Sequence, residues 1–182
     1  MIVQNTARMA LRTATGSHHE RVDSLFSKVR FDDRMSYGQF LRAQAAAYLP
    51  TENALSRSGI DAIVPDWQAR QRNDLLCADL ADLGLEPPTS AGDLDLDGEE
   101  ASLGALYVLE GSRLGGAMLK RSVSPDFPVR FLGGGDSTAW RSLLALLEER
   151  LDTDVKRATS IKAARHVFML FEAGAHEHLK AI

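Results

Sequence analysis

The stretch LGALYVLEGSRLGGAMLK, residues 103–120, reads as a strong helix with glycines in its middle. Gly111, Gly115 and Gly116 each cost about 0.5–1 kcal/mol relative to alanine, so the three together weaken the helix by roughly 1.5–3 kcal/mol. Something must offset that loss. Gly111 and Gly115 are four residues apart and share a face, so a second helix packed closely there is one explanation. The other is a large flat ligand lying against exposed backbone. This helix, predicted over residues 99–122, supports both equally.

Working outward, almost every periodic segment is helical. A first helix is predicted over residues 6–28, with an apolar stripe through Leu11, Ala14, His18, Val22, Leu25 and Phe26 and a bend at Gly16. A second opens at Ser36 as N-cap and ends at Ser58–Gly59. Pro50 inside it predicts a kink over residues 46–49. A third runs from Trp67 to Leu83 after Pro65–Asp66. Gly84 stops it, and Pro87–Pro88 prevent it from resuming. The acidic stretch 92–98 and the stretch 125–135, with Gly133–Gly135 as a hinge, are connections. A fifth helix is predicted over 137–151 and a sixth over 154–180. Val129–Phe131 alternates too briefly for a strand. The expected fold is an all-α, single-domain helical bundle spanning residues 1–182, an architecture that often holds cofactors between facing helices.

Composition excludes several classes. The chain has 182 residues, 45% of them hydrophobic and 25% charged, with a formal net charge of -4. That balance does not suggest a nucleic-acid binder. No apolar run approaches the roughly 20 residues that span a bilayer. The first dozen residues have no uninterrupted apolar core, so no secretory signal is expected and the cytoplasm is the simplest location. The one cysteine, Cys77, cannot form an intramolecular disulfide and reads as a small apolar residue. There is no G-x-S-x-G elbow, P-loop or H-E-x-x-H motif.

Of five histidines, His18 and His19 are adjacent on the first helix. Neighbouring helical residues point about 100° apart, so only one of them can face a given pocket. The apolar stripe passes through His18 and gives His19 no preference. Asp23 lies four residues beyond His19 on the same face, where a carboxylate can orient an imidazole directly or through water. His176 and His178 are two apart on a helix and diverge too far to share an ion. Arg113, Lys120 and Arg121 lie on or near the glycine-bearing helix, and Arg21 and Lys28 lie near His19. Any of them can meet carboxylates at a pocket edge, or be a solvated surface charge.

Two segments resemble the heme oxygenase family, particularly its short bacterial members. LRTATGSHHERVD, residues 11–23, is similar to the family's proximal L-x-x-A-T-x-x-x-H segment, which selects His19 over His18. LEGSRLGGAMLK, residues 109–120, is similar to its distal helix with a G-x-x-x-G-G core. The two lie roughly 90 residues apart and in the family's order. The resemblance implies heme as both cofactor and substrate, with His19 ligating its iron and Asp23 orienting His19. It implies Gly111, Ser112, Gly115 and Gly116 over the distal face, and Arg113, with Lys28 or Arg21, at the propionates. It further implies O2, an external electron donor such as ferredoxin or a reductase, and biliverdin, carbon monoxide and ferrous iron as products. Mammalian-type members carry an aspartate directly after the first distal glycine, and here that position is Ser112. Non-enzymatic heme carriage or sensing in the same pocket is the alternative.

Overall fold

The computed structural model describes residues 6–89, 94–134 and 137–179. Among these run seven α-helices: α1 (Ala7–Phe26), α2 (Arg34–Arg57), α3 (Trp67–Arg70), α4 (Asn73–Asp82), α5 (Gly98–Leu119), α6 (Ser137–Arg150) and α7 (Asp154–His178). Single 3-10 turns occupy Ile60–Ala62 and Lys120–Ser122. No strand occurs among the described residues, and Val129–Phe131 lies in the connection between α5 and α6. The predicted acidic connection, the Gly133–Gly135 hinge and the last helix each extend into positions outside the described residues, at 92–93, Gly135 and Lys180 respectively.

Helix boundaries follow from where orphan amides find acceptors. At the start of α1, the Thr6 side chain accepts from the Met9 amide. The Glu148 carboxylate of α6 accepts the amides of Ala7 and Arg8 at 2.9 and 3.0 Å. Helix α1 then passes through Gly16 without a break. The N-cap of α2 is Asp33, not Ser36. Asp33 accepts the Ser36 amide at 2.8 Å, while the Ser36 hydroxyl accepts from the Arg30 amide and ties down the preceding turn. Helix α2 continues through Pro50 to Arg57.

The predicted third helix is two helices. Buried Glu52 of α2 accepts the amides of Arg72 at 2.6 Å and Asn73 at 3.1 Å. Those amides therefore begin α4 instead of continuing α3, and Gln71 between them is extended, with ψ 141°.

Helix α7 is the spine. Helices α1, α2 and α5 all pack along it. Two glycines make the crossings close. A Cβ at Gly104 would lie 2.0 Å from the Ser160 carbonyl of α7, and one at Gly174 would lie 2.6 Å from the Ala43 carbonyl of α2. Leu41, Leu55, Leu103, Leu106, Ala164 and Val167 are buried in the common core. Helices α1 and α5 pack on α7 far more than on each other, and the gap between them holds the site.

Candidate functional site

A cleft of about 560 Å³ opens between α1 and α5. Helix α1 supplies Arg8, Arg12, Gly16, His19 and Asp23 to it. Helix α5 supplies Tyr107, Gly111, Ser112, Gly115 and Gly116. Phe26, Phe40, Phe131, Trp140, Phe168 and Phe171 give it aromatic walls. It is a concave, mainly apolar space with a few polar groups, as small-molecule sites usually are.

The adjacent histidines separate cleanly. His18 turns toward α7, with Nδ1 2.7 Å from Glu172 Oε1 and its ring stacked on Phe168. His19 lines the cleft. Its Nδ1 lies 3.1 Å from Asp23 Oδ2, which leaves Nε2 as the nitrogen for a ligand. The apolar stripe was a guide to packing on α7, and for that reason it passed through His18.

The distal glycines separate as well. A Cβ at Gly115 would meet nothing within 4 Å, and one at Gly111 only the Trp140 ring at 3.9 Å. Among the described residues only that ring of α6 borders these two positions, at ordinary contact distance, so close helix packing does not account for these two glycines. The glycine of α5 that serves helix packing is Gly104. Gly116 lies beneath Leu132, whose Cδ2 would be 3.2 Å from an added Cβ. On α1, a Cβ at Gly16 would also point into open space.

Behind α5 the polar groups are buried. The Tyr48 hydroxyl donates to the Leu109 carbonyl at 2.9 Å, and the Ser112 side chain hydrogen-bonds to the same phenol. Burial pushes Tyr48 up to about 12, with the Ser112 bond and the Arg72 charge pulling partly against it. Tyr48 is therefore a neutral donor near neutral pH. Burial also raises the carboxyl groups of Glu52 and Glu110. Hydrogen bonds from the Arg72 and Asn73 amides oppose this at Glu52, and the charges of Arg70 and Arg113 oppose it at Glu110.

The other predicted contacts lie elsewhere. Arg113 Nε donates to the Gly134 carbonyl at 2.8 Å, and its guanidinium lies 3.6 Å from Glu110, so the structure does not bring it into the cleft lining. Lys28 is exposed in the turn after α1, away from that lining. Arg21 donates to Glu172. Instead Arg8 and Arg12 are the cationic residues on the cleft wall, one turn apart on α1 and close to Tyr107. Sequence reasoning missed them, although their i, i+4 spacing and their positions 11 and 7 residues before His19 put them on related faces. Among the described residues, no group of three or more His, Cys, Asp and Glu side chains is placed to hold a bare metal ion.

The fold and site define an α-helical protein with one histidine presented to a glycine-lined cleft. No family model matches the chain. It is 32% identical over 180 residues to heme oxygenase PigA of Pseudomonas aeruginosa, covering 92% of this chain and 90% of that one. It is 33% identical over 146 residues to a heme oxygenase of Xanthomonas campestris pv. campestris, covering 76% and 88%. Its structure is similar to that of the NO- and CO-bound heme oxygenase from Neisseria meningitidis, with TM-score 0.81, 26% identity and coverage of 95% and 92%. The heme oxygenase of Leptospira interrogans shares the fold, with TM-score 0.72 at 18% identity. The chain belongs to the heme oxygenase family.

Proposed function

We propose that residues 1–182 act as one domain that opens heme oxidatively to biliverdin, carbon monoxide and ferrous iron, using O2 and electrons from an external donor such as ferredoxin or a reductase. One observation carries this reading. His19, tied through Nδ1 to Asp23, shares a cleft with Gly115, whose face is open, and Gly111, which only the Trp140 ring borders. The residues fit a porphyrin: aromatic walls suit a flat apolar ring, the missing Cβ atoms leave room for it, and Arg8 and Arg12 match its carboxylates.

His19 is the iron ligand in this reading, through Nε2. Asp23 fixes the tautomer and ring orientation of the imidazole. Bound heme supplies the iron that activates O2 and is itself the molecule oxidised. Helix α5 offers the distal side backbone, glycine hydrogens and the Ser112 hydroxyl. None of these is a strong acid or a bulky block. Ser112, which lines the cleft and whose side chain is hydrogen-bonded to neutral Tyr48 behind the helix, can order water there, in place of the aspartate of mammalian-type members. Glu52 and Glu110 stay behind the helix and leave the cleft free of their charge. Among the described residues, no helix is long and apolar enough to cross a membrane. The setting we propose for this reaction is the cytoplasm.

The test is to mix protein, heme, O2 and ferredoxin with its reductase, or ascorbate, and follow the spectrum. Loss of the Soret band with growth of a bilin band is the expected result. A stable Soret band under continued reduction means a heme carrier or sensor, and no heme spectrum at all overturns both readings.

A further inference from the structure

We propose that Arg72 is a positioning residue that selects which edge of the heme is cut, by clamping the Phe131–Leu132 wall of the cleft. The inference rests on the heme-opening reading above.

Arg72 sits at the unexpected break between α3 and α4 and is only 5% exposed. That break frees its side chain from a helix face. One terminal nitrogen donates to the carbonyls of Arg130, at 3.1 Å, and of Phe131 and Gly133. Its guanidinium carbon lies 5.7 Å from the centre of the Phe131 ring. From the other side, fully buried Asp79 accepts the Phe131 amide at 2.8 Å and binds the Arg130 guanidinium at 3.0 Å. Residues 130–133 belong to no helix or strand, so their backbone groups have no ladder to satisfy them. Two buried ionic side chains do most of this instead, beside one turn bond from the Gly133 amide to the Arg130 carbonyl at 3.1 Å.

A planar guanidinium with fixed donor directions holds carbonyls in one geometry, which an apolar anchor cannot do. What it holds faces the substrate. Phe131 and Leu132 line the cleft, and Leu132 covers Gly116 on the distal helix. A porphyrin has a nearly fourfold outline and can seat in several in-plane rotations. The shape of the far wall then sets which meso edge lies beneath the distal backbone. Arg72 touches neither that edge nor the iron and acts only through the position of residues 131 and 132.

The variants are Arg72→Met, Arg72→Lys and Leu132→Ala, and three quantities are measured on each. The first is amide hydrogen exchange at residues 131–133 in heme-free protein. The second is ferric heme affinity, and the third is the distribution of bilin isomers after turnover. In Arg72→Met, exchange at these amides rises about tenfold or more. Heme affinity changes little, and one dominant isomer becomes a mixture. Arg72→Lys falls between Arg72→Met and the wild type. Leu132→Ala gives a similar mixture while exchange at Phe131 stays protected, because the clamp is intact. If Arg72→Met does not fold, Arg72→Lys decides, with Leu132→Ala as the control that the wall itself sets the isomer. A wild-type isomer pattern in the folded variants overturns the proposal. Failure of the wild type itself to open heme overturns the reading beneath it, and the two failures are distinct.

Discussion

His19 Nδ1 stands 3.1 Å from Asp23 Oδ2, one turn further along α1, and both side chains are about two-thirds exposed, at 65% and 66%. Exposure decides what this pair can do. An exposed i, i+4 pair stabilises a helix by only about 0.3–0.5 kcal/mol. In the proposed ligation of iron by His19 its effect is larger, because losing such a supporting carboxylate typically costs about 10–100-fold in metal affinity. Asp23→Asn therefore leaves the melting temperature of heme-free protein nearly unchanged and weakens heme binding by about tenfold. His19→Ala abolishes the histidine-ligated ferric spectrum. Calorimetry and heme titration check the two parts, and an Asp23→Asn protein that loses stability but not affinity contradicts the assignment.

Glycines on α5 divide by what lies opposite them, and so do their substitutions. At Gly115 an alanine methyl enters open space, and the helix gains about 0.5–1 kcal/mol from the better helix former. Gly115→Leu should fold as well as the wild type and fail to bind heme, since its side chain fills the cleft. At Gly104 a methyl would run into the Ser160 backbone, so Gly104→Ala forces α5 from α7 and costs about 1–3 kcal/mol. Chemical denaturation of the three variants beside heme titration separates these outcomes. Equal destabilisation at both positions contradicts the division.

Local periodicity showed the helical class and most helix spans, because those depend on residues three and four apart. It joined α3 to α4 because nothing near Gln71 marks a stop. The stop is Glu52, some twenty positions away, taking the Arg72 and Asn73 amides. The same limit applied to the histidines. An apolar stripe reports which face packs, and His18 is on that face against Glu172 and Phe168. A cleft-facing residue is by definition off the packed stripe, so His19 needed the family pattern. Arg113 sat on the right helix, but its bonds to Gly134 and Glu110 depend on a loop that sequence could not place.

Glu172 links the proximal helix to the spine and carries a pH signature. Burial pushes its carboxyl up, but hydrogen bonds from Arg21 and His18, with their charges, outweigh this and hold it below the ordinary value of 4.5. A depressed acid stabilises the fold above its unfolded pKa and loses that contribution as pH falls through the folded value. The wild type should thus exceed Glu172→Gln in stability at pH 7, and the gap should close on acidification below about 4.5. Urea midpoints measured down the pH scale test this. A gap constant with pH would show that the charge contributes nothing.

Arg8 and Arg12 line the cleft, whereas Arg113 is occupied by Gly134 and Glu110, and this difference can be measured. Both cleft arginines are exposed, so each acts through water and is screened by salt. Individual exposed ion pairs contribute up to about 1 kcal/mol, so Arg8→Gln with Arg12→Gln should weaken heme binding by roughly tenfold at low salt. The Debye length falls from about 10 Å at 0.1 M to about 3 Å at 1 M, and the deficit should shrink accordingly. Stability should hardly change, because neither guanidinium supports the core. Arg113→Gln should do the reverse. It leaves buried Glu110 with one cationic partner fewer and frees the Gly134 carbonyl, so the fold weakens while heme affinity holds. Heme titration across a potassium chloride series, run beside urea denaturation, compares the two variants. Heme affinity that follows Arg113 and ignores Arg8 and Arg12 would move the carboxylate contact to the other side of α5.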